Sequence, residues 1–293
     1  MDHKEIEQAQ VTIKDSTDDK VTIPRTEQRI MHDRTGNREY RIFVAIPSGE
    51  TPPLGYPVIY LLDANAIFGT MVEAIRVQAR RTEKTGVVPA IIVGIGYLTE
   101  EPFSPARHYD FTLPASLTEL PTSPDGRAWP KQGGAEDFLT FIQEDLKPEI
   151  ERKFTVDRNR QTIFGHSLGG LFVLHVLFTK PEAFQTYVAG SPSIHWNKRF
   201  MHEEEQLFTA RLEEEPVNIR ILIGMGELEK YHKSRIYENA KDLSERLAKL
   251  AKQGVHVEFK GFEDEGHGSV LPALISRALR FASRSALVSS EKT

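Results

Sequence analysis

Phe164-Gly165-His166-Ser167-Leu168-Gly169-Gly170 decides the fold of this chain. The stretch fits G-x-S-x-G, the pattern in which a serine occupies a tight turn between a strand and a helix. Its flanks have the required character. Gln161-Thr162-Ile163-Phe164 reads as a short buried strand, and residues 171–178 read as a buried helix. Small residues surround the serine because the turn brings backbone segments close together, and glycine takes φ > 0 at little cost. Such a turn exposes the Ser167 hydroxyl and aims the Leu168 backbone N–H at whatever the hydroxyl attacks. It also sets an order, since an acid and then a histidine must follow downstream.

The histidine expected is His267, in Gly266-His267-Gly268-Ser269-Val270. It follows Val255-His256-Val257-Glu258-Phe259, which alternates like a strand, and precedes a helical stretch at 271–283. In an α/β sheet every such loop opens on the same edge, so His267 and Ser167 share an edge. The imidazole takes the serine proton and returns it to the leaving oxygen. His3, His32, His202 and His232 read as surface histidines, and His175 as a satisfied core histidine. His166 is too close in sequence to serve as base to its neighbour, but is placed to line the pocket.

The acid is expected after the strand at 218–224, in Met225-Gly226-Glu227-Leu228-Glu229-Lys230. Glu227 is preferred, being nearer the strand end and behind a flexible glycine. Glu229, which enters the polar stretch before a helix at 236–252, is the alternative, and Asp264 is a third candidate. The acid holds His267 in the right tautomer. An oxyanion hole needs a second N–H from the loop after an earlier strand. The strand is Tyr56-Pro57-Val58-Ile59-Tyr60-Leu61-Leu62, and the N–H of Asn65, just beyond it, pairs with that of Leu168.

Around these motifs the chain changes rhythm. Residues 38–47 alternate like an antiparallel strand, with a hairpin turn at Thr35-Gly36-Asn37 before it. From Tyr56 the order is strand, helix, strand, helix. Residues 87–95 are almost continuously apolar, as a central parallel strand covered on both faces requires. Ala135, Phe138, Leu139, Ile142, Leu146 and Ile150 recur at helical spacing, with Pro148 placed to bend the helix. The expectation is one α/β domain over residues 1–293, with a mostly parallel sheet, an antiparallel N-terminal edge and helices on both faces. The longest irregular stretch, 102–132, holds Pro105, Pro114, Pro121, Pro124 and Pro130. It reads either as a lid or flap over the serine's edge of the sheet or as a solvated insertion. The tail at 285–293 reads as frayed.

Composition narrows the function. The chain has 293 residues, 39% of them hydrophobic, a net charge of −5 and a pI near 6.1. No basic excess draws it to nucleic acid or to an anionic membrane. Cysteine is absent, which excludes disulfides, thiolate metal sites and a cysteine nucleophile. No metal-ligand cluster stands out, so no cofactor is expected. Residues 1–7 are charged without an apolar core, and no run approaches the roughly 20 apolar residues of a membrane span. A cytoplasmic protein acting on a small-molecule ester is the expectation; oligomeric state is not legible.

Several segments together resemble a known group. These are Leu61-Leu62-Asp63-Ala64-Asn65-Ala66, Arg107-His108-Tyr109-Asp110-Phe111-Thr112, Gly133-Gly134-Ala135, residues 165–170, Ser191-Pro192-Ser193-Ile194 with Trp196, and Gly266-His267-Gly268-Ser269-Val270. Over roughly residues 25–285 the chain resembles the esterase branch of the α/β-hydrolases, and within it the catecholate-siderophore esterases that open the enterobactin and bacillibactin trilactones. The resemblance implies an α/β-hydrolase fold and a serine esterase with Ser167 and His267 as the working pair. It maps the acid onto Glu227, although some members work with a serine–histidine pair alone, and it maps the oxyanion residue onto Asn65. The broader branch holds feruloyl esterases, S-formylglutathione hydrolases and mycolyltransferases, so another acyl substrate, or a non-catalytic binding role, remains the alternative. The chain departs from the pattern at Ala64, where glycine is common, and at His195, where an aromatic often precedes Trp196. A ferric catecholate is a bulky trianion with flat rings. Arg107 is a candidate cation for it, or a surface ion pair; Trp196 is a stacking surface, or core. The iron would belong to the substrate.

Overall fold

A computed structural model describes residues 21–115, 120–121, 123 and 126–284. Eight strands form one sheet, in the order β1-β2-β4-β3-β5-β6-β7-β8. They are β1 Thr26–His32, β2 Glu39–Ala45, β3 Tyr56–Leu61, β4 Ile91–Gly96, β5 Val156–His166, β6 Thr186–Gly190, β7 Ile219–Gly226 and β8 Val255–Phe262. The helices are α1 Ala64–Gln78, α2 Thr82–Thr85, α3 Arg107–Asp110, α4 Ala135–Thr140, α5 Lys147–Lys153, α6 Leu168–Thr179, α7 Lys198–Glu214, α8 Ile236–Ala248 and α9 Val270–Ser283. β1 pairs with β2, and β2 with β4, antiparallel. Every other pairing is parallel. The expected α/β-hydrolase architecture, with its antiparallel leading edge, is therefore present.

The strand order fixes where a site can lie. From β3 the chain passes through α1 to β4 on one side of β3. It then crosses to β5 on the other side. The loops leaving β3 and β5 diverge there and leave a crevice beyond the carboxyl ends of the strands, the usual ligand position in open α/β sheets. Both stretches expected to carry the oxyanion N–H groups leave from that point.

Alternation along the strands divides the core in two. Ile59, Ile92, Phe164, Val188 and Leu222 pack under α1 and α9, against Met71, Leu274 and Ile275. Tyr60, Val93, Ile163, Ala189 and Ile221 face the other way, against Phe138, Phe172, Phe208 and Leu243 from α4, α6, α7 and α8. Residues 168–178 of α6 are all buried. Each large apolar side chain withdrawn from water in this way contributes roughly 1.5–3 kcal/mol. So the helix that starts at Ser167 is anchored on every side.

Two elements differ from expectation. The helix over residues 135–150 is unbroken but passes from α4 through a π-helical segment at Phe141–Leu146 into α5. Pro148, in the first turn of α5, lacks the N–H for the hydrogen-bond ladder and crowds the carbonyl four residues back, and the wider π turn absorbs that conflict. The 102–132 stretch contains α3, which is tied down: Asp110 Oδ1 accepts from Arg38 Nη1 at 2.8 Å and Oδ2 from the Tyr97 hydroxyl at 3.0 Å. Within this stretch positions 116–119, 122, 124 (Pro124) and 125 lie outside the described residues, as do residues 1–20 and the tail at 285–293. Among the described residues no helix is long and apolar enough to cross a membrane.

Candidate active site

Ser167 stands between β5 and α6 with φ 61° and ψ −117°. That is a costly conformation for a non-glycine residue, of order 1–3 kcal/mol, and it persists only where the surroundings enforce it. The enforcement is visible. A Cβ on Gly165 would lie 2.2 Å from the Gly169 carbonyl oxygen, and one on Gly170 would lie 2.7 Å from the Gly190 carbonyl oxygen. At Gly169 the nearest contact would be an ordinary 3.4 Å. The tight positions are thus Gly165, the first glycine of the motif, and Gly170, just beyond it, rather than Gly169. The Ser167 N–H donates to Gly190 O at 2.9 Å, which ties the turn to the end of β6.

His267 arrives from the loop between β8 and α9. Its Nε2 is 3.0 Å from Ser167 Oγ, and its Nδ1 is 2.7 Å from a Glu229 carboxylate oxygen. The expected acid, Glu227, does not reach His267. β7 runs to Gly226, two residues past the expected strand end, and a 3₁₀ turn then covers Glu227–Tyr231. At three residues per turn, positions two apart point different ways. Glu227 turns outward and accepts from Lys230 Nζ at 2.9 Å. Glu229 turns inward and is 4% exposed. Its Oε1 accepts from the Ser191 hydroxyl at 2.6 Å and from the Gly226 N–H at 2.8 Å. Burial opposes the charge of Glu229. The hydrogen bonds from His267, Ser191 and Gly226 outweigh burial and hold its carboxyl below the usual range. The acid and histidine loops are stitched together by the Leu228 N–H, which donates to Glu265 O at 3.0 Å. The other candidate, Asp264, lies in that second loop and is exposed.

His166 packs behind the histidine, its ring centroid 4.7 Å from that of His267. It is 5% exposed, and burial, with the neighbouring His267 charge, pushes it down to about 3, so it is neutral. It serves as a backing for the His267 ring rather than as an exposed wall.

Leu168 and Asn65 each sit in the first turn of a helix, α6 and α1, where N–H groups have no acceptor within the helix. The side chain of Asn65 is fully engaged. Its Nδ2 donates to Tyr97 O at 3.0 Å and Thr99 O at 2.8 Å, and its Oδ1 accepts from Tyr97 N at 2.8 Å. These bonds fix the start of α1 against the end of β4.

Arg107 is not a free cation. It is buried, and its Nε and Nη2 donate to Asp63 Oδ1 and Oδ2 at 2.8 and 2.7 Å. Nη2 also lies 3.4 Å from His166 O. Asp63, with φ 52° and 2% exposed, starts α1. One guanidinium therefore joins the stretch carrying Asn65 to the stretch carrying Leu168. Its partner lies 44 residues away in sequence, and no local pattern announced the pairing. Trp196 is largely buried too, with Nε1–H donating to Gln132 Oε1 at 2.9 Å and its ring edge-on to Trp129 at 4.6 Å. It anchors the end of the 102–132 stretch rather than offering an open face.

Ser191 and Ser193 were quoted from the sequence without a role. Ser193 Oγ lies 3.3 Å from Ser167 Oγ, and its N–H donates to Ser167 O at 3.1 Å. The site as a whole has a hydroxyl aligned on an imidazole and the imidazole aligned on a buried carboxylate, with the first turns of α6 and α1 tied together through Arg107 and Asp63. That arrangement suits acyl transfer.

Comparison with known proteins agrees with the geometry. Residues 34–270 match the family described as "Putative esterase". The chain is 62% identical over 266 residues to the ferri-bacillibactin esterase of Bacillus subtilis, covering 91% of this chain and 92% of that protein. It is 36% identical over 280 residues to the siderophore enterobactin esterase of Emericella nidulans, covering 83% and 89%. The solved structure of the BES protein from Bacillus cereus superposes with a TM-score of 0.85 at 44% identity, covering 92% of this chain and 99% of that one. The chain belongs to this esterase family of the α/β-hydrolases.

Proposed function

We infer that this serine esterase opens the trilactone ring of a ferric catecholate siderophore in the cytoplasm and so frees the iron. The chemistry rests on one observation, the continuous line from Ser167 Oγ through the His267 ring to Glu229. Ser167 Oγ attacks the ester carbonyl carbon while its proton passes to His267 Nε2. The tetrahedral oxyanion accepts from the Leu168 and Asn65 N–H groups, donors of a kind whose single removal costs about 3–4 kcal/mol of transition-state stabilisation. The C–O bond to the leaving alcohol then breaks, and His267 returns the proton to that oxygen. A water, deprotonated by His267, releases the acyl group and restores Ser167. Glu229 keeps the proton of the resting imidazole on Nδ1 and stabilises the imidazolium.

The substrate reading is supported by the relatives, whose names specify ferri-bacillibactin and enterobactin. The 102–132 stretch acts as a cover over the substrate, and its support is the packing of Trp129 and Gln132 on Trp196. Hydrolysis of iron-loaded bacillibactin and enterobactin, followed chromatographically beside p-nitrophenyl acetate, tests the reading. The expected result is a kcat/KM for a ferric trilactone well above that for the simple ester. Equal values would remove the siderophore assignment and leave a general esterase. Fractionation of cells tests the compartment, with activity expected in the cytoplasmic fraction.

A further inference from the structure

A trianionic substrate needs cations, and Arg107 is committed to Asp63. The accessible cations stand elsewhere. Beside the site lies an open cleft of about 350 Å³ with Lys198, Lys233 and Arg235 on its walls, together with His195, Leu120 and Pro121. All three cations are exposed. Most arginines of this chain are paired with carboxylates, but none of these three has an ion-pair partner among the described residues. No carboxylate lines the cleft among its described residues.

The cleft adjoins the catalytic machinery through His195. His195 is two residues from Ser193, whose hydroxyl touches that of Ser167. The His195 ring lies 6.0 Å from that of His232 and 6.5 Å from that of Trp196, centroid to centroid. Pro121, also lining the cleft, accepts through its carbonyl oxygen from Trp129 Nε1 at 2.6 Å. Burial, with the neighbouring His232 and His267, lowers His195 to about 4, so its ring is neutral at pH 7 and adds a flat surface without charge. The cleft thus combines the neutral His195 ring, two residues from Ser193, with three exposed cations.

We propose that the Lys198–Lys233–Arg235 cleft seats the anionic metal–catecholate part of the substrate while its ester backbone reaches Ser167. The proposal rests on the siderophore reading above and gives it a place on the surface. It assigns specificity to positions outside the esterase motifs. Opposite charges within about 8 Å attract through physiological salt, and that reach shortens as salt is added, so binding weakens as ionic strength rises.

The probe is an iron(III) tris-catecholate complex, and the readout is quenching of Trp129 and Trp196 fluorescence in the Ser167→Ala protein. Lys198→Gln/Lys233→Gln/Arg235→Gln, added to Ser167→Ala, is compared with the charge-matched control Lys84→Gln/Lys249→Gln/Lys252→Gln. The control lysines are exposed and lie at the opposite edge of the sheet, before β4 and β8. The proposal expects the Kd to rise at least tenfold in the cleft variant and to stay within twofold in the control. A cleft variant within twofold of its parent, or a control that weakens as much, overturns it. Because this readout needs no turnover, it is separate from the hydrolysis assay. A protein that binds the complex through the cleft but leaves trilactones intact would refute the function and keep the cleft.

Discussion

Replacing Glu229 by glutamine tests how the acid works, and the structure sets the size of the effect. The carboxylate takes two donors on Oε1, Ser191 Oγ–H and Gly226 N–H, and His267 Nδ1–H on Oε2. An amide has one oxygen and one NH₂. The two donors at the inner position claim the oxygen, because an NH₂ placed there would face both a hydroxyl and an N–H. The NH₂ is left against Nδ1 of His267. That ring must then carry its proton on Nε2, toward Ser167, and can no longer accept the serine proton. Loss of the correct tautomer in a serine triad costs about 10⁴ in kcat. We therefore expect kcat on p-nitrophenyl acetate to fall about 10³–10⁴-fold, or roughly 4–5.5 kcal/mol, with the fold retained by circular dichroism. Glu227→Gln removes only an exposed pair with Lys230, of a kind worth about 0–1 kcal/mol, and kcat should stay within twofold. A Glu229→Gln enzyme that keeps more than a tenth of its kcat would refute the assignment and favour a serine–histidine pair alone, and a Glu227→Gln enzyme that is equally impaired would refute it in favour of Glu227.

Three further outcomes follow from other parts of the molecule. Arg107→Met leaves the buried Asp63 carboxylate unpaired and should cost about 3–5 kcal/mol of stability by urea unfolding. Arg107→Lys keeps the charge but not the two-point contact, and should lower kcat more than it raises KM; unaltered stability and kcat in both variants would show that the pair does not position the two loops. His175, 2% exposed, faces Glu204 at 2.9 Å and Glu136 at 3.4 Å, and although burial disfavours its charge these carboxylates raise it to about 9. Its stabilising contribution is complete below pH 6.5 and lost as pH rises through about 9, with a ceiling of roughly 3 kcal/mol; a stability gap between wild type and His175→Gln that is the same at pH 6 and pH 10 contradicts this. Gly165→Ala drives a methyl into the Gly169 carbonyl and should abolish soluble, active protein, whereas Gly268→Ala, where a Cβ meets nothing within 4 Å, should fold normally.

What could be read from the sequence was what depends on local spacing. The turn at Ser167, the alternation of strands and helices, and the position of His267 between the last strand and the last helix all follow from patterns a few residues long. The choice between Glu227 and Glu229 turned on whether the chain left β7 as a strand or as a 3₁₀ turn, two residues decisive for direction but carrying almost the same composition. A signal was present: in Gly226-Glu227-Leu228-Glu229 a glutamate stands three residues after the residue that caps the turn, the spacing at which a side chain folds back onto that residue's N–H. Arg107 and Trp196 each admit two readings from the sequence for another reason. Their partners, Asp63, Gln132 and Trp129, are distant in sequence, and a cation or a ring shows nothing of whether tertiary pairing has already engaged it. The cationic cleft was illegible for the same reason in reverse, since its residues come from α7 and from the segment before α8, and only the fold brings them together.

The central claim is that the Ser167 oxygen itself becomes acylated. Reaction with a fluorophosphonate, digestion and mass spectrometry of the peptides read this out directly. The account predicts one adduct, on Ser167, formed in step with loss of esterase activity and absent from His267→Ala. An adduct on Ser193 or elsewhere, or full turnover of esters by protein that never labels at Ser167, would contradict it.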